Sequence, residues 1–250
     1  MTAFLESVST ALQLITTADA TLSAIVLRSL GVSGTALLVA GLLGLPLGAW
    51  LGVARFRGRT GLLAVLNTSL ALPSVVVGLV VYLLLSRTGP LGFLGWLFSV
   101  KAMVVAQAIL VLPVVTALTR QVVEDAQNRH GEQIQSLGAR PLLRSLILAW
   151  DERFALLTVL IASLGRALSE VGAVMVVGGN VDGFTRVMTT AIALETSKGD
   201  LPLALALGIV LLVVVLLLNA LMAWLRHWRE TAQDAPQDSA ALVLQTGSHR

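Results

Sequence analysis

Apolar residues in this chain come in long unbroken runs, not at the 3.6- or 2-residue spacing of half-buried helices or strands. Four runs carry no charge: residues 29–54, 60–86, 102–119 and 201–225. Each is about 18 residues or longer, enough to cross a ~30 Å hydrocarbon core as a helix. A fifth run, 154–177, is apolar but is interrupted by Arg166 and Glu170. The pattern predicts an all-α, polytopic membrane protein with about five transmembrane helices. Pro73 and Pro113 fall inside spans and read as kinks whose freed carbonyls are satisfied by neighbouring helices.

The segments between the runs differ in character. Residues 87–101 form a short connection with a Gly89-Pro90 turn signal and with Trp96 and Phe98 suited to a membrane interface. Residues 120–153 form a long polar connection. Within it, Glu132 to Leu137 reads as a short helix lying across the chain path. Gly138 reads as its end and Pro141 as the first turn of the next helix. Residues 178–202 are polar and Gly-rich, and 185–196 read as a short helix at the membrane edge. From Thr231 onward the sequence is polar and reads as a mostly disordered tail. The expected division is an external segment 1–27, a transmembrane domain 28–229 and a cytoplasmic tail 230–250.

Charge orients these spans. Arg55, Arg57, Arg59, Arg120, Arg129, Arg140, Arg144, Arg153, Arg226 and Arg229 lie on one side, and Arg28, Arg87, Lys101, Arg186 and Lys198 on the other, ten against five. The positive-inside bias places the first set in the cytoplasm, with the N-terminus outside and the C-terminus inside. Composition agrees: 56% of residues are hydrophobic and 12% charged, about half the charge a soluble domain carries. The net charge of +3 belongs to this loop pattern and does not indicate nucleic-acid binding. The chain has no Cys, and its His residues are scattered at 130, 227 and 249. Thiolate, disulfide and His-cluster metal chemistry are thereby excluded. Residues 1–20 carry Glu6 and Asp19 and no basic residue, so they do not read as a cleavable signal.

Two features carry candidate chemistry. A charge at mid-membrane costs about 2.5–3.5 kcal/mol on insertion scales, so it faces protein or a watery path. Arg166 and Glu170 stand four apart on one helical face and are expected to pair. They belong either to a structural lock or to a solute pathway. Gly165, Gly172, Gly178 and Gly179 favour close packing or a helix break nearby. The other feature is the 120–153 connection, a suitable handle for a soluble partner. Arg186 and Lys198 read as solvated loop charges.

That connection resembles the loop of permease subunits of ABC importers: Glu-Ala-Ala, three residues, Gly, nine residues, Ile-x-Leu-Pro. Glu132 and Gly138 keep the spacing, Gln133 and Ile134 replace the two Ala, and Leu148-Ala149-Trp150-Asp151 replaces the last motif. Gly44-Leu45-Pro46-Leu47-Gly48 also fits the general importer pattern. The stretch 165–180, GRALSEVGAVMVVGGN, is similar to that of permeases for molybdate, tungstate and sulfate. TRVMTTAIALETSKGD at 185–200 looks most like the tungstate branch.

The resemblance implies a type I importer-like transmembrane domain with a cytoplasmic coupling helix, in a multi-pass inner-membrane protein. It implies a homodimer, two P-loop ATPase subunits that bind ATP and Mg, and an external oxyanion-binding protein. Glu132, Gln133, Ile134, Ser136, Leu137, Gly138 and Ala139 would meet the ATPases. Arg166, Ser169, Glu170, Gly172 and Asn180 would line the pathway or its gate. This chain has no Gly-x-x-x-x-Gly-Lys-Ser/Thr P-loop, so it is expected to be a non-catalytic subunit without a cofactor of its own. Other substrates for the same architecture are molybdate, sulfate or another small solute. An ion-coupled secondary transporter would need intramembrane ion sites in repeated halves, and only Glu170 qualifies. A non-transporting scaffold would not need a helix placed to meet an ATPase.

Overall fold

The apolar runs fold as helices, but only three of them are straight enough to cross a membrane alone. The computed structural model describes residues 8–10, 12–13, 15–17, 20–136 and 138–247, with side chains described as far as Trp224. The spanning helices are α1 (Ala20–Val53), α4 (Val100–Ser136) and α9, whose apolar part is Leu201–Trp224. The other α-helices from Ala20 onward are α2 (Arg59–Leu70), α3 (Ser74–Leu85), α5 (Pro141–Asp151), α6 (Arg153–Leu168), α7 (Gly172–Gly178) and α8 (Met188–Lys198). Among the described residues there is no strand.

The expected five spans are met only if two bent pairs count as spans. α2 and α3 meet at 98°, and α6 and α7 at 59°. Pro73 therefore ends a helix instead of kinking one. It offers no N–H and biases Leu72 away from helical geometry. Pro113 stays inside a continuous α4. α1 starts at Ala20, inside the expected external segment 1–27. α9 continues as backbone helix to Gly247, where a disordered tail was expected. The Ala, Glu and Gln of that stretch have high helix propensity.

α1 and α4 form the largest helix–helix interface and the spine of the molecule. Their seam is built from small residues. Gly44, Gly48 and Gly52 repeat every fourth residue of α1 and face Val115, Thr116, Thr119 and Val123. A Cβ at Gly48 would lie 2.5 Å from the Thr116 carbonyl oxygen, so only glycine permits this approach. Apolar clusters sit along the spine. One joins Val32, Val81, Met103 and Val174, and another joins Ile25, Leu168, Met188 and Leu207. The outside is also apolar: Leu42 is 76% exposed and Leu212 71%, as lipid-facing surfaces require.

The spine divides the molecule into two ends. One carries the turn around Gly138. The other carries the 86–99 connection and the 179–187 loop.

Candidate functional site

At the Gly138 end, α4 runs on to Ser136, so Glu132, Gln133, Ile134 and Ser136 are its last turns and not a separate short helix. The reason is local: nothing between Arg120 and Ser136 breaks a helix except Gly131, which costs only ~1 kcal/mol. Ser136 Oγ donates to the Gln133 carbonyl at 2.7 Å. Gly138 adopts φ +78°, and its N–H donates to the Gln135 carbonyl at 2.9 Å, the left-handed stop that glycine supplies. Leu137 lies outside the described residues. Ala139 and Arg140 lead into Pro141 at the first turn of α5, and Arg144 Nη1 donates to Gln135 Oε1 at 2.8 Å, tying α5 to α4. Glu132, Gln133, Ser136 and Gly138 are exposed, whereas Ile134 packs toward Val123 and Leu148.

The free-standing short helix at this end is α5. It turns Ser145 and Leu148 inward and presents Leu142, Leu143, Leu146, Ile147 and Trp150 outward, Trp150 at 74% exposure. The Arg153 guanidinium lies 5.7 Å from the Trp150 ring centroid and 4.9 Å from that of Phe154. Beside α5, Val122, Asp125, Asn128, Arg129, Glu152 and Ala155 line a groove of about 470 Å³. Arg129 and Glu152 pair there at 2.7 Å. Nearby, Glu124 accepts from Arg59 at 2.9 Å and also from Arg120. Arg59 additionally donates to the Leu51 carbonyl at 3.1 Å, so this carboxylate fastens the ends of α1 and α2 to α4.

The second group surrounds the break between α6 and α7. Arg166 Nη1 and Glu170 Oε2 pair at 3.2 Å, with side chains 51% and 6% exposed. The other carboxylate oxygen of Glu170 accepts from the Ala173 N–H at 3.3 Å, so Glu170 also caps the start of α7. Ser169 Oγ folds back onto the Gly165 and Arg166 carbonyls. Gly172 touches α3: a Cβ there would lie 2.7 Å from Ser74 Oγ and from Val75 Cγ2. The breaks of the two bent pairs therefore meet, Ser74 being the first residue after one and Gly172 the first after the other.

Asn180 is not part of this cluster. It follows α7, at φ +50° after Gly179 at +67°. α8 links the two places. Thr189 Oγ1 donates to the Glu170 carbonyl at 2.8 Å, and Asn180 Nδ2 donates to the Thr190 carbonyl at 3.1 Å. Adjacent residues of α8 thus hold the two ends of α7. Gln107 of α4 completes the break, its Nε2 donating to the Ala167 carbonyl at 3.0 Å. Arg186 and Lys198 are not free loop charges. Glu195, itself buried, pairs with Arg186 at 3.6 Å and with Lys198 at 3.1 Å, and Arg186 also meets Asp182 at 3.3 Å.

Residues 44–230 match the family described as the binding-protein-dependent transport system inner membrane component. The chain belongs to this family. The permease is 40% identical over 221 residues to the tungstate uptake system permease protein TupB of Peptoclostridium acidaminophilum, covering 87% of this chain and 95% of the relative. It is also 40% identical over 203 residues to a probable anion ABC transporter permease protein of Haloferax volcanii, covering 79% and 88%. A more distant likeness, 32% over 166 residues and 63% and 60% of the two chains, is to the sulfate transport system permease protein CysT of Salmonella typhimurium.

Several residues of the permease site escaped sequence reasoning. Gln107 and Thr189 donate to distant backbone carbonyls, and Thr190 accepts from Asn180 through its own carbonyl; such bonds leave no local pattern. The α5 face did leave one. Leu142, Leu143, Leu146, Ile147 and Trp150 follow the i, i+1, i+4, i+5, i+8 spacing of one helical stripe.

Proposed function

We propose that this permease is the membrane-spanning subunit of an ATP-driven importer that passes a tetrahedral oxyanion, tungstate first, from an external binding protein into the cytoplasm. The observation that carries the chemistry is the half-exposed Arg166 beside the buried Glu170 at a broken span. An arginine left open inside an apolar exterior is costly unless it faces a watery path. A guanidinium is also suited to a tetrahedral oxyanion, because its planar donors match two oxygens at once. Glu170 fixes the guanidinium and neutralises it between passages. The substrate assignment draws on the 40% identity to the TupB protein over nearly the whole chain.

In this reading the Gly138 end, with the larger share of Arg, lies in the cytoplasm, the N-terminus outside and the C-terminus inside. Two copies of the chain enclose the pathway. Two ATPase subunits, binding ATP and Mg, grip the end of α4 and the apolar stripe of α5. Glu132 to Ala139 set the junction between those helices. The external binding protein delivers its anion at the 86–99 and 179–187 surface. ATP-driven closure of the ATPases then switches the pathway between outward and inward access.

The test is reconstitution of the permease with its ATPase and binding protein in liposomes. Tungstate-loaded binding protein is expected to stimulate ATP hydrolysis and tungstate accumulation. A second reading keeps the architecture but exchanges the anion, favoured by the likeness to a sulfate permease. If sulfate or molybdate stimulates hydrolysis and tungstate does not, that second reading replaces the first.

A further inference from the structure

Movement at the Gly138 end has to reach the break at Glu170, and two helices run between them: α6, which follows α5 and carries Arg166, and α4, which carries Gln107. α4 runs unbroken from Val100 to Ser136. Gln107 and Ser136 are therefore about 40 Å apart along a single rod, at the helical rise of ~1.5 Å per residue. At one end of this rod Gln135 is tied to α5. Near the other end Gln107 donates to Ala167, the same carbonyl that accepts the Glu170 N–H at 3.2 Å. Gln107 is thus the polar tie between the rod and the turn that positions Glu170, and through it Arg166.

The state of Gln107 is unusual. It is buried, and its Oε1 has no partner. Exchanging the amide oxygen and nitrogen does not help, because the oxygen would then face the Ala167 carbonyl. Thr119 Oγ1 and Gln127 Oε1 on α4 are also buried without partners, so α4 holds three of the six such atoms among the described residues. Buried acceptors are almost always satisfied.

We infer that α4 carries the ATPase stroke to the pathway and that Gln107 is the positioning residue that hands it to the Arg166–Glu170 break. This rests on the importer reading above. The test is Gln107→Met, which keeps the volume and removes the hydrogen bond, in the reconstituted complex with ATPase and binding protein. ATP hydrolysis and oxyanion uptake are measured together, using whichever of tungstate, molybdate or sulfate the wild type imports. Gln107→Met is expected to co-purify with the ATPase and hydrolyse ATP near the wild-type rate. Anion moved per ATP should fall about tenfold, the factor expected for one net hydrogen bond. Thr189→Val removes a bond to the same break from α8, which is not on the rod. It is expected to slow transport and hydrolysis together and to leave their ratio within about twofold, because α8 does not run from the Gly138 end to the break. An unchanged ratio in Gln107→Met, an equal drop in ratio in Thr189→Val, or loss of ATPase binding in Gln107→Met would each overturn the inference while leaving the importer reading intact. A wild-type complex that imports none of the three anions would overturn both.

Discussion

Glu170 is held from three directions: by the Arg166 guanidinium, by the Ala173 N–H, and by Thr189 on its own carbonyl. Its removal should disturb the start of α7 more than the choice of anion. Glu170→Ala is expected to lower the amount of assembled permease and its melting temperature, with the relative uptake of tungstate, molybdate and sulfate unchanged. Full assembly with a changed anion order would contradict this. Arg166→Gln should be worse for stability. It strands a buried carboxylate, a change that costs about 3–5 kcal/mol when both partners are buried and less here, where the guanidinium is half exposed. Thermal unfolding of the two variants in one detergent compares them. The pair was legible in the sequence because i, i+4 spacing on a helix puts both groups on one face. Gln107 and Thr189 were not, since their partners lie 60 and 19 residues away.

Hydrophobic run length marked where helices lie but not where they break. Residues 60–86 read as one span, yet Pro73 ends α2 and the chain turns by 98°. The same run with a straight helix would have looked alike in hydropathy. The 120–153 connection was located, but its parts were exchanged: Glu132 to Ser136 finish α4, and Pro141–Asp151 is the separate helix. α5 thereby becomes the element to test for partner contact. Leu146→Glu, on its exposed stripe, is expected to leave folding intact and abolish co-purification with the ATPase. Retained co-purification would count against α5 as the docking helix. The α1–α4 seam makes a different demand. Gly48→Val brings a branched side chain against the Thr116 carbonyl, and overpacking of this kind costs about 1–3 kcal/mol or more. Loss of detergent-stable protein is the expected readout, with Gly31→Val, which faces open space, as the control.

A single copy leaves much unfinished. α2 buries none of its residues, Val65 on it is 64% exposed, and the Arg166 side chain is half exposed. These are explained if a second copy closes the pathway. The chain has no Cys, so a single Cys can be placed without interference. Val65→Cys in native membranes is expected to give a disulfide-linked dimer under mild oxidation, whereas Leu212→Cys on α9 is expected to stay monomeric. The reverse pattern would move the contact to the other side of the molecule. At this scale run length and motif spacing showed the class of protein, and its partners were implied by the resemblance alone. The sequence could not show which faces remain open, because lipid-facing and partner-facing surfaces are equally apolar.

The unbroken course of α4 also constrains how this protein can change length. One residue inserted between Gln107 and Ser136 would advance the far end by about 1.5 Å and rotate it by about 100°. Every contact beyond the insertion would then face the wrong neighbour. The 86–99 connection has no such register to keep. Insertions and deletions among natural relatives should therefore collect there and in the 179–187 loop, and be missing from the thirty residues that end at Ser136.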